Sequence, residues 1–274
     1  MYDIPILLLT YKRLHSTQLI IKLLQQIRPT KLYVVSDGPS TLEDIPQVTK
    51  VRECVVSGVN WPCEFVREFK ETHLGCDRLM VEALDMFFGS EKLGIVLEDD
   101  VIPHTNFFRF HKEMLERYEG SENVWFVGSF HIPSVRYERV ESDHALVPYT
   151  ILWGWSTWCT KWQTFRKTPY FVNSYIPPRL SLPIKTQTFW QGKLNQVKAG
   201  GECTYDVKFV LHILCGGGSA VVPHHPLIWY VGCDEYATHT KRVVQSFAHI
   251  ARKLEECTHV QIAPLTDGRV QVSG

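Results

Sequence analysis

The chain has 274 residues, 45% of them hydrophobic and 21% charged, enough apolar material for one large globular core and too much for a disordered or fibrous protein. Its 29 Lys and Arg balance its 29 Asp and Glu, which excludes a broad field drawing it to nucleic acid or an anionic membrane and makes any anion binding local. The longest apolar run, Ile4 to Leu9, falls far short of the roughly 20 residues of a transmembrane span, and no secretory signal is visible, so a soluble, cytoplasmic protein is expected. The eight cysteines are scattered without a Cys-x-x-Cys pair, which argues against a zinc ribbon or a disulfide scaffold.

Short β-type runs alternate with amphipathic segments through the first half, the pattern of a mostly parallel twisted sheet flanked by helices. Pro5–Leu9 is predicted as a strand, His15–Ile27 as a helix with an apolar face at Leu19, Ile20, Leu23, Leu24 and Ile27, and Lys31–Ser36 as a strand stopped by Asp37-Gly38-Pro39. A helix over Leu42–Ser57, a strand at Glu64–Phe69, a helix over Gly75–Phe88 and a strand at Gly94–Glu98 follow. After Pro103 comes another helix, carrying Phe107, Phe108, Met114 and Leu115, then a strand at Val124–Gly128.

From Ile132 to Pro183 periodicity fades into Pro, Trp and Tyr, which predicts long ordered loops over the sheet, where acceptor specificity commonly resides. Helices are predicted again at Lys185–Lys198, Tyr205–Leu214 and Lys241–Glu256, and strands at Ser219–Val222 and Leu227–Tyr230. We read a single α/β domain: residues 1–130 as a nucleotide-binding half, 131–240 as an acceptor and catalytic half, and 241–274 as a terminal helix and tail.

Chemistry concentrates where predicted strands end. Glu98-Asp99-Asp100 closes a buried strand with three carboxylates, at the position where open α/β sheets bind ligands and where a hard divalent cation shared with phosphates finds oxygen ligands; a solvated acidic turn ahead of a helix is the other reading. Asp37 is a turn residue or, at the same sheet edge, an acceptor for the imide N–H of uracil. Thr10, Tyr11 and Arg13, after the first strand, supply backbone, aromatic and basic groups there. Gly75 permits close backbone approach and Arg78 is placed for phosphate or sugar hydroxyls, against the alternative of a plain Gly loop with a surface Arg. Trp153-Gly154-Trp155 offers flat rings for sugar faces around a glycine, the alternative being an aromatic core plug, which is the role expected of Trp158. Asp206 opens a predicted helix and by itself reads as a cap or first-turn acid.

Taken in order, Pro5 to Arg13, Ser36-Asp37-Gly38-Pro39, His73-Leu74-Gly75-Cys76, Leu97-Glu98-Asp99-Asp100, Trp153 to Trp158, Thr204-Tyr205-Asp206 and Ala237-Thr238-His239-Thr240 resemble the landmarks of GT-A fold nucleotide-diphospho-sugar glycosyltransferases. Within that fold the pattern resembles the bacterial hemolysin-like group, itself similar to the N-acetylglucosaminyltransferase I type. The resemblance implies a Rossmann-like GT-A sheet and transfer from a nucleotide-sugar donor to an acceptor glycan hydroxyl. It implies a divalent metal, Mn2+ or Mg2+, held by Asp100 with His239 near the metal or diphosphate. Glu98 and Asp99 would orient sugar, ribose or metal-bound water, and Asp206 would be the base of an inverting displacement. Asp37 favours a UDP-sugar. A weaker similarity to glycosyltransferases of large algal viruses, which act in the host cytoplasm, suggests xylose.

Two other functions compete. A sugar-phosphate nucleotidyltransferase would share such a sheet but cradle its triphosphate in a Gly-rich loop, and Thr10 to His15 contains no Gly. A non-catalytic carbohydrate-binding protein would use the tryptophans but leave the carboxylates without a task.

Overall fold

The structure, a computed structural model, describes residues 1–232. The N-terminal half follows the expected alternation. Strands β1 (Ile6–Thr10), β2 (Lys31–Ser36), β3 (Glu64–Phe69) and β4 (Leu93–Glu98) alternate with helices α1 (Leu14–Ile27), α2 (Ile45–Gly58) and α3 (Cys76–Ser90). β1 is buried throughout, as expected of a strand covered on both faces, whereas β3 mixes half-buried Phe and Val with Glu64, Arg67 and Glu68 as an edge strand does. The apolar stripes set the helix faces: α1 buries Ile20, Ile21, Leu24 and Ile27, and α3 buries Leu79, Met80, Ala83, Leu84, Phe87 and Phe88.

The second half adds β5 (Val101–Pro103), α4 (Thr105–Arg117), β6 (Val124–Val127), β7 (Arg139–Val140), β8 (His144–Val147) and β9 (Trp155–Trp158). It continues through α5 (Cys159–Lys167), α6 (Ile184–Lys198), α7 (Tyr205–Cys215), β10 (Ser219–Pro223) and β11 (Ile228–Tyr230). Nine strands form one sheet in the order β3-β2-β1-β4-β9-β6-β10-β8-β7, and β5 pairs with β11 in a separate ribbon. The sheet is mostly parallel, Rossmann-like, with β9 and β8 running against their neighbours. One hydrophobic core lies between the sheet and α3, α5, α6 and α7, the other between the sheet, α1 and α4. No helix among the described residues is long and apolar enough to cross a membrane.

Two expectations change. The stretch predicted as loops from Ile132 to Pro183 contains β7, β8, β9 and α5. β9 lies between β4 and β6 with Trp155, Ser156, Thr157 and Trp158 all buried, so it carries no polar-apolar alternation to read. The helix expected over Leu42–Ser57 begins as a separate 3-10 turn, Leu42–Asp44. The helix expected at Lys241–Glu256 lies outside the described residues.

Candidate active site

Strand order fixes where a ligand can enter. The chain runs outward from β1 to β2 and β3, then returns to β4 on the other side of β1, and the C-terminal ends of β1 and β4 bound the crevice at that reversal. Leu9 and Glu98 sit side by side in the register. Beyond them Asp99, almost fully buried, joins the two strand ends: its Oδ2 accepts the Tyr11 amide N–H at 2.7 Å and its Oδ1 accepts from Arg13 Nη1 at 3.2 Å. The same Arg13 nitrogen lies 3.7 Å from Asp100 Oδ2, which fixes a cation beside the acidic strand end.

A cleft of about 390 Å³ opens here. Arg13, Glu98 and Asp100 line it together with Trp153, Asp206 and Tyr230, so five residues singled out in the sequence meet in one space. Asp206 arrives on the first turn of α7, whose Phe209, Leu211, Ile213 and Leu214 are buried in the core. The start of α7 is fastened by Asp77, whose carboxylate accepts the Tyr205 amide N–H. Trp153 stacks on Tyr230 with centroids 4.0 Å apart and planes 3° from parallel, making an aromatic wall.

Enclosure by protein, followed by the charges of Asp100, Asp99 and Asp206, pushes the Glu98 carboxyl well above the usual carboxylate range, with Arg13 opposing. Burial raises Asp99 as well, against Arg13 and the Tyr11 amide. Local desolvation, then Glu98, Asp100, Asp206 and Asp77, raises the Cys76 thiol, which stays protonated. The cleft gathers the carboxyl groups of Asp77, Glu98, Asp100 and Asp206 and is chemically suited to a cation that would draw them into the charged form. Among the described residues no three His, Cys, Asp or Glu side chains group into a self-contained metal cage. The donor set fits instead a hard cation held by one or two carboxylates and completed by substrate phosphates.

Other candidates sit elsewhere. Asp37 is 2% exposed, and its oxygens accept the amides of Gly38 at 2.8 Å, Leu74 at 2.8 Å and Gly75 at 3.1 Å, with His73 Nδ1 at 2.8 Å from Oδ2. Four donors occupy the roughly four lone-pair positions of a carboxylate, so Asp37 orders the 73–75 turn, and a base could bond to it only by displacing one of them. Of its two readings, turn residue and open base acceptor, the geometry favours the first. Gly75, at φ +80°, caps α3 in that turn. Tyr11 stacks on His73 at 4.9 Å, and its hydroxyl donates to Asp44 at 3.1 Å, beside the 73–75 turn. Thr10 is buried and its carbonyl accepts the Asp37 amide at 2.9 Å, so the expected backbone contact from Thr10 is taken up within the sheet edge.

Three donor-contact expectations are overturned. Arg78 is exposed on α3 and pairs with Glu82 at 2.8 Å, one turn along, outside the cleft. Trp155 is fully buried against Phe126 and Phe209, so it is a core side chain. Gly154, at φ +58°, faces Phe107, Ile228 and Val101, which a Cβ would meet at 3.1–3.2 Å; it permits the turn that sends Trp153 to the cleft and Trp155 to the core. His239 lies outside the described residues.

The sequence reading missed Tyr230, Gly232, Asp77 and Tyr205 as cleft residues. An aromatic at the end of the predicted Leu227–Tyr230 strand was the available signal for Tyr230. Gly232 had none: a Cβ there would meet Asp100 Oδ2 at 2.5 Å, a proximity set only by the fold.

No family model matches the chain, and no curated protein matches it. Among solved structures it is similar to a UDP-glucose pyrophosphorylase complexed with UDP-glucose, at 8% identity over 92% of this chain and 99% of that one, with a TM-score of 0.44. It is also similar to 4-diphosphocytidyl-2C-methyl-D-erythritol synthase from Anaerococcus prevotii, at 8% identity over 92% and 98% of the two chains, TM-score 0.43. A third is a mannose-1-phosphate geranyltransferase from Thermus thermophilus, at 9% identity over 81% and 74%, TM-score 0.40. Likeness at this level carries no argument about activity.

Proposed function

We propose that this protein is a metal-dependent glycosyltransferase that moves a sugar from a nucleoside diphosphate to an acceptor hydroxyl. The observation that carries the reading is the placement of Asp206 in the same cleft as Glu98, Asp100 and Arg13, on a separate rigid element. A donor bound at the β1–β4 crevice would set its diphosphate by Arg13 and Asp100 and its sugar against the Trp153–Tyr230 wall. Asp206 would then accept the proton of the acceptor hydroxyl as that oxygen bonds to the anomeric carbon and the bond to the diphosphate oxygen breaks.

Asp100 and Glu98 would hold the divalent cation, which when bound supplies charge neutralisation for the departing diphosphate. Arg13 adds fixed positive charge on the same side, held there by Asp99. Because Asp37 is occupied by the 73–75 turn, the proposal stops at a nucleoside diphosphate and chooses no base.

The segment after β1 favours this reading over nucleotide-sugar synthesis. Only Tyr11, Lys12 and Arg13 separate β1 from α1, and Lys12 and Arg13 are held by Asp44 at 2.9 Å and Asp99 at 3.2 Å. A triphosphate cradle of consecutive backbone amides needs a longer, Gly-bearing loop. The test is incubation with a panel of nucleotide sugars with and without manganese, beside a parallel incubation of nucleoside triphosphates with sugar 1-phosphates. Metal-dependent donor hydrolysis or transfer is the expected result. Nucleotide-sugar synthesis would make the protein a nucleotidyltransferase, and absence of any nucleotide-sugar binding would leave a carbohydrate-binding protein.

A further inference from the structure

From His144 to Gly201 the chain has seven Lys or Arg and no Asp or Glu, although the protein as a whole is neutral. The same stretch carries a concentration of exposed apolar side chains. Among the described residues twelve large hydrophobic side chains are exposed, and six of them fall between Tyr170 and Phe189. Leu180 is 96% exposed, Ile184 83%, Tyr175 69% and Phe189 54%.

This exposure is built into a held surface. Arg179, beside Leu180, donates to the Gly218 carbonyl at 2.7 Å, and the Leu182 amide closes the turn on the Arg179 carbonyl at 3.1 Å, with Leu182 itself buried. α6 already satisfies its inward face with Trp190 and Leu194, so Ile184 and Phe189 are additional to the core. Lys198, at the end of α6, donates to the Ser174 carbonyl at 2.6 Å, which sets the helix beside the segment bearing Tyr175. Lys193 lies 5.9 Å from the centroid of the Phe189 ring. Among the described residues, none of Lys167, Lys185, Lys193 and Lys198 forms an ion pair.

We infer that α6 and the Tyr170–Pro183 segment before it form a docking surface for an anionic lipid membrane. Aliphatic and aromatic side chains standing among lysines without a carboxylate partner are what an interfacial surface requires: the apolar groups enter the acyl boundary while the ammonium groups meet headgroup phosphates and carboxylates. A two-fold contact with a second copy would set these lysines against one another, and the neighbouring acid Glu138 is already engaged by Arg179 at 3.5 Å and Ser181 at 2.9 Å. Leu180 and Ile184 offer no planar face for nucleobases. The consequence is positional, since α6 leads through residues 199–204 into Tyr205 and Asp206 at the cleft. Docked in this way, the protein would hold its cleft near the lipid interface.

The inference rests on the surface alone and survives or fails independently of the reaction assigned to the cleft. Its test is co-sedimentation of the full chain with vesicles of phosphatidylcholine, or of phosphatidylcholine with phosphatidylserine, at low and high salt. Binding is expected only with phosphatidylserine and is expected to be released by salt. Lys185→Glu with Lys193→Glu should weaken it by at least about fivefold per lysine. Leu180→Ser with Ile184→Ser should also weaken it, with the melting temperature of the soluble protein unchanged because both side chains stand outside the core. Absence of binding to phosphatidylserine vesicles at low salt overturns the inference, as does binding indifferent to both double variants. Concentration-dependent dimerisation abolished by Leu180→Ser with Ile184→Ser, in a protein that ignores vesicles, would instead assign the surface to a second copy.

Discussion

The two sides of the cleft are built by different means. On one side Glu98, Asp99 and Asp100 follow directly from a strand whose register is fixed against β1, and Asp99 fastens the strand ends through the Tyr11 amide and Arg13. On the other, Trp153, Asp206 and Tyr230 come from three places far apart in the chain and are positioned by packing: a left-handed glycine at 154, the buried face of α7, and the stack on Tyr230. Backbone register places side chains that can be exchanged without disturbing the fold, whereas packing places side chains whose neighbours are the fold. Substitution of Asp100 should therefore change chemistry with little change in stability, whereas substitution of Asp99, which fastens the strand ends, and of the residues behind the second side should do the reverse.

Asp206 tests the exception, a chemical group on the packed side. It is half-buried, so Asp206→Asn should fold and bind donor normally while transfer falls by about 10²–10⁴-fold, the usual loss on removing a general base. Steady-state transfer and donor titration on the same variant check this. Near-parental transfer would remove Asp206 as the base, and equal losses of binding and transfer would move it into the donor pocket.

The sharpest contrast in stability is between two tryptophans one residue apart. Trp155→Ala should cost about 3–5 kcal/mol because the ring is wholly enclosed by the core. Trp153→Ala should lose chiefly its stack on Tyr230, about 0.5–1.5 kcal/mol, with the larger effect on the Michaelis constant for donor. Denaturant unfolding of both variants measures the difference, and equal destabilisation would erase the distinction between cleft wall and core.

Acid should also act on the packed side. His111, between Ser129 at 2.8 Å and Ser156 at 2.7 Å, is lowered by burial to about 3, and His212 is lowered by burial and by Lys161 to about 4. Both folded values lie below the ordinary histidine value of about 6.5, so the unfolded chain takes up these protons first. Their contribution is complete above that pH and is lost as pH falls toward the folded values, by about 1.4 kcal/mol per pH unit for each histidine. Unfolding free energies at neutral and acid pH should show a shallower fall for His111→Asn than for the parent, and parallel lines would contradict the shift. The smallest effect is expected from Arg78→Ala, within about 0.5 kcal/mol and with unchanged donor affinity, since the Glu82 pair is solvent-exposed.

How much was legible follows the same division. β1 to β4 and their helices could be read because buried parallel strands and one-faced helices leave plain periodicities, and Glu98, Asp100 and Arg13 were found by standing at strand ends. β9 was missed because burial on both faces removes alternation, and with it went the distinction between Trp153 and Trp155. Asp37 was located with two readings, turn residue or base acceptor, and nothing in Ser36-Asp37-Gly38 shows that the amides of Leu74 and Gly75 will reach it and favour the first. Arg78 was misassigned because one helical position separates it from Asp77, which does face the cleft. Asp206 was found through motif order, and its meeting with Glu98 depends on contacts that no local pattern encodes.

The central claim is that the acidic end of β4 receives a nucleotide-sugar diphosphate through a divalent cation. Calorimetric titration of donor into the parent protein and into Asp100→Ala, each with and without manganese, tests it most directly. The account predicts binding to the parent only with manganese, loss of that binding in Asp100→Ala, and superimposable thermal unfolding of the two proteins. Equal donor affinity in parent and variant, with manganese present, would contradict it.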